Sequence, residues 1–553
     1  MKKNFIAIVL ILILAACTPT EVITPTPLPI LVSTATLVPH TPMPEALWIS
    51  PTVPDGLLAI AKTWDISITN ISELATNKLD IVETESGSLW IYALVAPFPT
   101  ITDDVTKDDL LSTWSGSSST PITGHAILMA ESSLRAFTAI WGEPASGAVR
   151  VVPSNVLIDT AWSESAWAII PFEDIQPKWK VLSVDGQSPI HKNFDANLYP
   201  LKINFDLSGS TSFALPKSNR DESKLTTVVL TGVTALVRAT AVTMELKGVT
   251  YPGSLVGDWL READIAHISN EVPFDKDCPP PNSSYTNLIL CSDPKYFELL
   301  TDVGTDIVEL TGDHFADRGT NAMLATLEIY KQDNLPYYGG GANAREARQP
   351  VLMEVNGNKI AFMGCNGKLK YAKATDVVPG AADCDYDFFT NQIEDLKAQG
   401  YMVIFTFQHE ECYFAGPCYT HEDGFHKVAY AGAVVVSGSQ AHYPHIMEFR
   451  GDSFIHYGLG NLFFDQMKYT LPDGTVIDET RREFLDRHVF YDGRYLGMEL
   501  LTAMLEDYSR PRPMTQPERN AFLSEYFNLS GWIPVSPTPI PQPTVTLTPI
   551  VLP

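Results

Sequence analysis

Basic residues are scarce. The 553 residues include 38 Lys plus Arg against 65 Asp plus Glu, a formal charge of -27. A field of that sign repels nucleic acid and anionic headgroups as general partners. Cysteine is also sparse, at 7. None of it has Cys-x-x-Cys spacing, which excludes a zinc knuckle or a thioredoxin-type redox pair. No apolar run reaches the roughly 20 residues of a membrane-spanning helix. The glycines Gly339, Gly340 and Gly341 are not followed by Gly-Lys-Ser/Thr, so they read as a turn and not as a phosphate loop. Apolar residues are plentiful, at 45% against 19% charged, which supports sizeable cores and excludes a wholly disordered chain.

The N-terminus sets the expected compartment. Lys2 and Lys3 precede a continuous apolar stretch, Phe5 to Ala16, of signal-peptide length. It ends in Leu14-Ala15-Ala16-Cys17, which resembles a bacterial lipobox. The resemblance implies removal of residues 1–16 and lipid on Cys17. The mature protein would then be lipid-anchored at the extracytoplasmic face of the cell membrane. Residues 17–45 are rich in Thr-Pro and read as an extended tether, and residues 533–553 read as a disordered tail of the same kind.

Setting Cys17 aside leaves Cys278, Cys291, Cys365, Cys384, Cys412 and Cys418. Six cysteines outside the cytoplasm suggest disulfides, and fifteen pairings are open. Pairing sequence neighbours, 278–291, 365–384 and 412–418, closes short loops and is the guess adopted. All six lie in the later part of the chain, which suggests two different folded regions.

Residues 46–207 alternate strand-like and helix-like segments, including the buried-strand pattern Leu89 to Ala96. This region loosely resembles a smaller α/β periplasmic solute-binding-protein domain, with Trp162, Trp167 and Trp179 read as core. A turn-rich link is expected over 208–223, a second α/β domain over 224–511 and an extension over 512–532. In the second domain strand after strand ends in polar residues: Asn270 and Glu271, Asp313 and His314, His409, His442 and His445, and Asn461. Ligands of open α/β sheets gather at such carboxyl ends. Histidine nitrogen and carboxylate oxygen suit manganese, zinc or iron, and such a metal can activate water for hydrolysis.

Three segments of this second region resemble the capsule-synthesis and poly-γ-glutamate-synthesis family, CapA or PgsA, a branch of the calcineurin-like metallophosphatase fold. They are Asn270-Glu271-Val272-Pro273; Leu310-Thr-Gly-Asp-His314-Phe-Ala-Asp317-Arg-Gly319; and Gln440-Ala-His442-Tyr-Pro444-His445 with Tyr457-Gly-Leu-Gly-Asn461-Leu-Phe-Phe-Asp465-Gln466. The resemblance implies an αββα sandwich. It implies metal ligands among Glu271, Asp313, His314, His409, His442 and His445, with Asn270, Glu271, Asp313, His314 and His409 as catalytic candidates. Arg238 matches a family arginine, and Arg345 and Asn461 are further substrate-binding candidates.

One departure stands out. The family's first aspartate is replaced by Val233, which cannot ligate a metal. Asp313 could replace the lost carboxylate, the site could be mononuclear, or the metal could be absent. Acid–base catalysis by Asp313, Glu271 and His409 without metal is a further alternative.

The expected function is work on an anionic capsular or poly-γ-glutamate-like polymer or its precursor, in synthesis, export or attachment. Metal-dependent hydrolysis or transfer is the expected chemistry, and polymer-synthase membrane proteins are the expected partners. The alternatives are a non-catalytic polymer-binding lipoprotein with a degenerate metal site and, third, a solute receptor of a transporter.

Overall fold

The computed structural model describes residues 45–84, 86–117, 125–209, 213–368, 370–418 and 421–533. The expected signal peptide, Cys17, nearly all of the tether and the tail lie outside them. No helix among the described residues is long and apolar enough to cross a membrane. The described residues fall within a single compact unit.

The first region is a mixed sheet built around the strand Ser88–Pro97. This strand lacks polar alternation because both of its faces are covered, and Ile91 to Ala96 are essentially inaccessible. Lys202–Gly209, Ala168–Pro171 and Trp179–Val184 all pair with it antiparallel. The helix Lys107–Trp114 starts where its sequence says it should. The Thr106 side chain accepts from Asp109 N–H, and Asp109 accepts from Thr106 N–H, closing a capping box. Asn219 and Arg220, within the expected link, are hydrogen-bonded to Ile91, Glu173, Pro189 and His191.

The second region contains two sheets face to face. In one, Leu225–Leu230, Ile265–Asn270, Ile307–Glu309 and Tyr337–Tyr338 run parallel, and Arg482–Tyr491 joins antiparallel to Leu225–Leu230. In the other, Asn358–Asn366, Met402–Gln408, Ala433–Ser437 and Ser453–His456 run parallel. A shared core between the sheets includes Val228, Ile265, Phe362, Ile404 and Phe454. The outer face of the first sheet packs on Met244, Leu299 and Leu327, and that of the second on Phe389, Ile393 and Val428. These residues come from helices Arg238–Lys247, Phe297–Asp302, Gly319–Gln332, Tyr386–Ala398 and His421–Ala431. The architecture is therefore an α/β/β/α sandwich preceded by a smaller α/β region. The helix Gln516–Leu529 puts Phe522, Tyr526 and Phe527 into the inter-sheet core, beside Phe98 from the first region.

The three neighbour disulfides, Cys278–Cys291, Cys365–Cys384 and Cys412–Cys418, are all formed.

Candidate metal centre

The parallel strands of both sheets deliver their carboxyl ends to one cleft of about 930 Å³. Ile265–Asn270 leads directly to Glu271, and Ile307–Glu309 leads through a tight turn to Asp313 and His314. Gly312 makes this approach possible. A Cβ there would stand 2.8 Å from Glu271 Cα, so a larger residue would push the two loops apart.

Ligand atoms of Glu271, Asp313 and His314 all lie within 4.8 Å of one another. Glu271 is wholly buried, and neither of its carboxylate oxygens meets hydrogen-bond geometry with a described residue; its Oε1 has only an ion-pair contact, with His442 Nε2 at 3.5 Å. Oδ1 of Asp313 likewise has no hydrogen-bond partner among the described residues. Buried carboxylates are normally paired or bound to metal, because an uncompensated charge is costly in a low-dielectric site. The donor set of two carboxylates and an imidazole suits a divalent cation.

Nearby residues orient this set. His314 Nδ1 is 2.6 Å from Asp317 Oδ2, which directs Nε2 away from Asp317. His442 Nδ1 is 2.8 Å from Asn461 Oδ1, and its Nε2 is 3.5 Å from Glu271 Oε1, a distance of charge contact. Burial works against charge on Glu271, but His442, His314 and Lys368 outweigh it and hold its pKa down to about 2. Burial works against the imidazolium forms too. For His442, the Glu271 and Glu411 charges reverse the effect and raise its pKa to about 9. For His314, the Asp317 hydrogen bond with Glu271 and Asp313 does the same, also to about 9. Asp313 is shifted up, by burial and then by the Glu271 charge.

Sequence reasoning missed Lys368. Its Nζ lies 2.8 Å from Asp313 Oδ2 and 2.5 Å from Glu411 Oε1, and the side chain is 11% exposed. It follows the strand Asn358–Asn366, whose position was a usable signal. A lysine is not a metal ligand, however, so a search for ligands passes over it.

Arg238 also reaches the cleft. Its backbone is left-handed, with φ 44°, a strained conformation for a residue with a side chain. Asp465 stabilises it by accepting from Arg238 Nη2 at 2.6 Å and from Ala239 N–H at 2.9 Å.

The other candidates lie elsewhere. Asn270 turns its amide to Val272 O and Tyr330 Oη, bracing the loop and not facing the cleft. His409 stacks on Phe407 and Phe425, outside the cleft lining. His445 is buried with Nε2 3.2 Å from Cys412 O, also outside it. Arg345 is exposed on Ala344–Ala347 and does not line the cleft. Val233 is buried, with its N–H on Gly460 O and its carbonyl accepting from Leu462.

Comparison with known proteins gives the following. Residues 227–466 match the family model described as bacterial capsule synthesis protein PGA_cap. The capsule biosynthesis protein CapA of Bacillus anthracis is 24% identical over 282 residues, covering 49% of this chain and 68% of that protein. Among solved structures, a Haemophilus influenzae NAD nucleotidase aligns with a TM-score of 0.30 and 12% identity, over 56% of this chain and 57% of that one. An ABC-type phosphate transport receptor from Vibrio cholerae aligns with a TM-score of 0.25 and 15% identity, over 31% and 88%.

Proposed function

We propose a function on the premise that residues 227–466 are a capsule-synthesis domain of the CapA family: metal-assisted hydrolysis or transfer on an anionic capsular or poly-γ-glutamate-like polymer or its precursor. The protein would do this as a lipid-anchored component on the outer face of the cell membrane, alongside membrane-embedded polymer-synthase proteins. The observation that carries the chemistry is the Glu271 carboxylate, buried and outside hydrogen-bond geometry with any described residue, beside Asp313 and His314.

Glu271, Asp313 and His314 would hold the cation, with His442 beside them. When bound, a divalent cation there supplies a Lewis acid and a water of lowered pKa. Asp317 and Asn461 hold the two imidazoles in fixed orientation. Lys368 holds Asp313 and Glu411 and keeps a positive charge within the cleft. Arg238, braced by Asp465, stands at the wall where a negative group of the substrate would be held. Tyr371, Tyr413 and Tyr469 also line the cleft.

A second reading, a polymer-binding lipoprotein without catalysis, is favoured by Val233 and by the lysine already paired to Asp313. The two are separated by incubating purified protein with manganese and either poly-γ-glutamate or a phosphoester, beside the Glu271→Ala variant. Cleavage by the parent alone supports catalysis. Polymer binding without cleavage by either supports the second reading.

A further inference from the structure

Beside the charged cleft lies a second cavity of about 460 Å³, of a different chemistry. One wall is a face of helix Arg238–Lys247, presenting Ala241, Val242 and Leu246. The opposite wall is the loop closed by the Cys278–Cys291 disulfide, which contributes Pro279, Pro280 and Pro281. Three consecutive prolines offer no backbone N–H, so this stretch of the wall has no main-chain donor for a polar guest; Asn282 and Tyr285 are the polar side chains of the same loop. The cavity's polar members at one end are already engaged: Lys295 Nζ is 2.5 Å from Glu245 Oε1. Leu246 and Ile289 stand 79% and 50% exposed at the cavity, an apolar mouth that water solvates poorly.

The two cavities adjoin across a common wall. Arg238, Tyr285, Ile289 and Leu290 line both. Arg238 stands at this junction with its Nε buried and without a hydrogen-bond partner among the described residues. A cationic group thus separates an apolar groove from a cleft containing the candidate metal ligands. Its volume falls in the range of about 300–1,000 Å³ typical of small-molecule sites.

We infer that this groove binds the hydrocarbon chain of a lipid-linked substrate whose anionic phosphate head lies at Arg238 and in the metal cleft. The inference rests on the cleft being a substrate site, as proposed above, and adds the substrate class. An amphiphile matches both chemistries, because the apolar groove and the cleft share a wall that includes Arg238. A purely polar polymer would leave the groove unused.

The test is binding of n-alkyl phosphates of four to eight carbons, below their micelle concentrations, to the whole protein with manganese present, by calorimetry. Each methylene buried in an apolar site adds about fourfold to affinity, so octyl phosphate should bind on the order of a hundredfold more tightly than butyl phosphate. Val242→Trp, which fills the groove, and Leu246→Asp, which places a charge at its exposed mouth outside the cleft lining, should each flatten this dependence. Equal affinities for the two phosphates in the parent protein would overturn the groove and leave the cleft reading intact. A chain-length dependence undiminished in both variants would also overturn it, since the chain would then bind elsewhere. No binding of butyl phosphate would defeat the cleft reading and the groove with it.

Discussion

Lys368 Nζ lies 2.8 Å from Asp313 Oδ2, so an internal cation holds one oxygen of the carboxylate whose other oxygen, Oδ1, has no hydrogen-bond partner among the described residues. The same ammonium is 2.5 Å from Glu411 Oε1. Two carboxylates that could bracket a second metal therefore bracket a lysine, and the proposed centre would hold one divalent ion.

Replacing this lysine should change the stoichiometry. Lys368→Met frees Asp313 and Glu411 and should raise bound manganese from about one to about two per chain. Equilibrium dialysis followed by elemental analysis reads the number. A folded variant that still binds one would show that Lys368 does not occupy a metal position.

The Asn461 side chain faces His442 Nδ1 and leaves Nε2 towards Glu271. It also donates to His442 O and Thr480 O. Asn461→Ala should weaken metal binding about 10–100-fold, the usual effect of removing a residue that orients a ligand. It should also cost about 1–3 kcal/mol of stability through the buried groups left unpaired. Metal titration and urea unfolding separate the two effects. Unchanged metal affinity would mean that His442 plays no part in the centre.

These two residues differ in how readable they were. Asn461 sits in a long motif, and the strand ends of Glu271, Asp313, His314 and His442 were visible as polar residues after apolar runs. That pattern identifies the end of a strand but not the direction of the side chain. His409 and His445 follow equally good strands, yet one stacks on Phe407 and the other points to Cys412. Lys368 was hidden for a different reason: its contribution is charge and position, which ligand spacing does not encode. The sandwich was legible from the parallel-strand runs and the motifs together. The seating of Phe98 and of the helix Gln516–Leu529 in the second region's core was not, because apolar residues do not name the core they join.

The first region should carry a pH-dependent element of stability. Burial of Glu173, beside Trp90 and Asn219, raises its pKa from 4.5 to about 7. The folded state then binds the proton more tightly than the unfolded one. This contribution is fully present below pH 4.5 and is lost as pH rises through about 7, a difference of up to about 3 kcal/mol. Urea unfolding of parent and Glu173→Gln across this window reads it. The variant, which cannot ionise, should show a shallower decline. Parallel pH profiles would show that Glu173 titrates normally in the fold.

The central claim is that Glu271, Asp313 and His314 hold a divalent cation, and metal binding tests it most directly. The chain from residue 45 onward, purified without chelator and dialysed against manganese, should retain about one ion. Its thermal midpoint should rise on metal addition, with about 2.7 kcal/mol of added stability at a hundred times the dissociation constant. Glu271→Ala and His314→Ala, each folded by circular dichroism, should lose both the ion and the shift. Near-zero metal and no shift in the parent protein, the same as in the variants, would contradict the account.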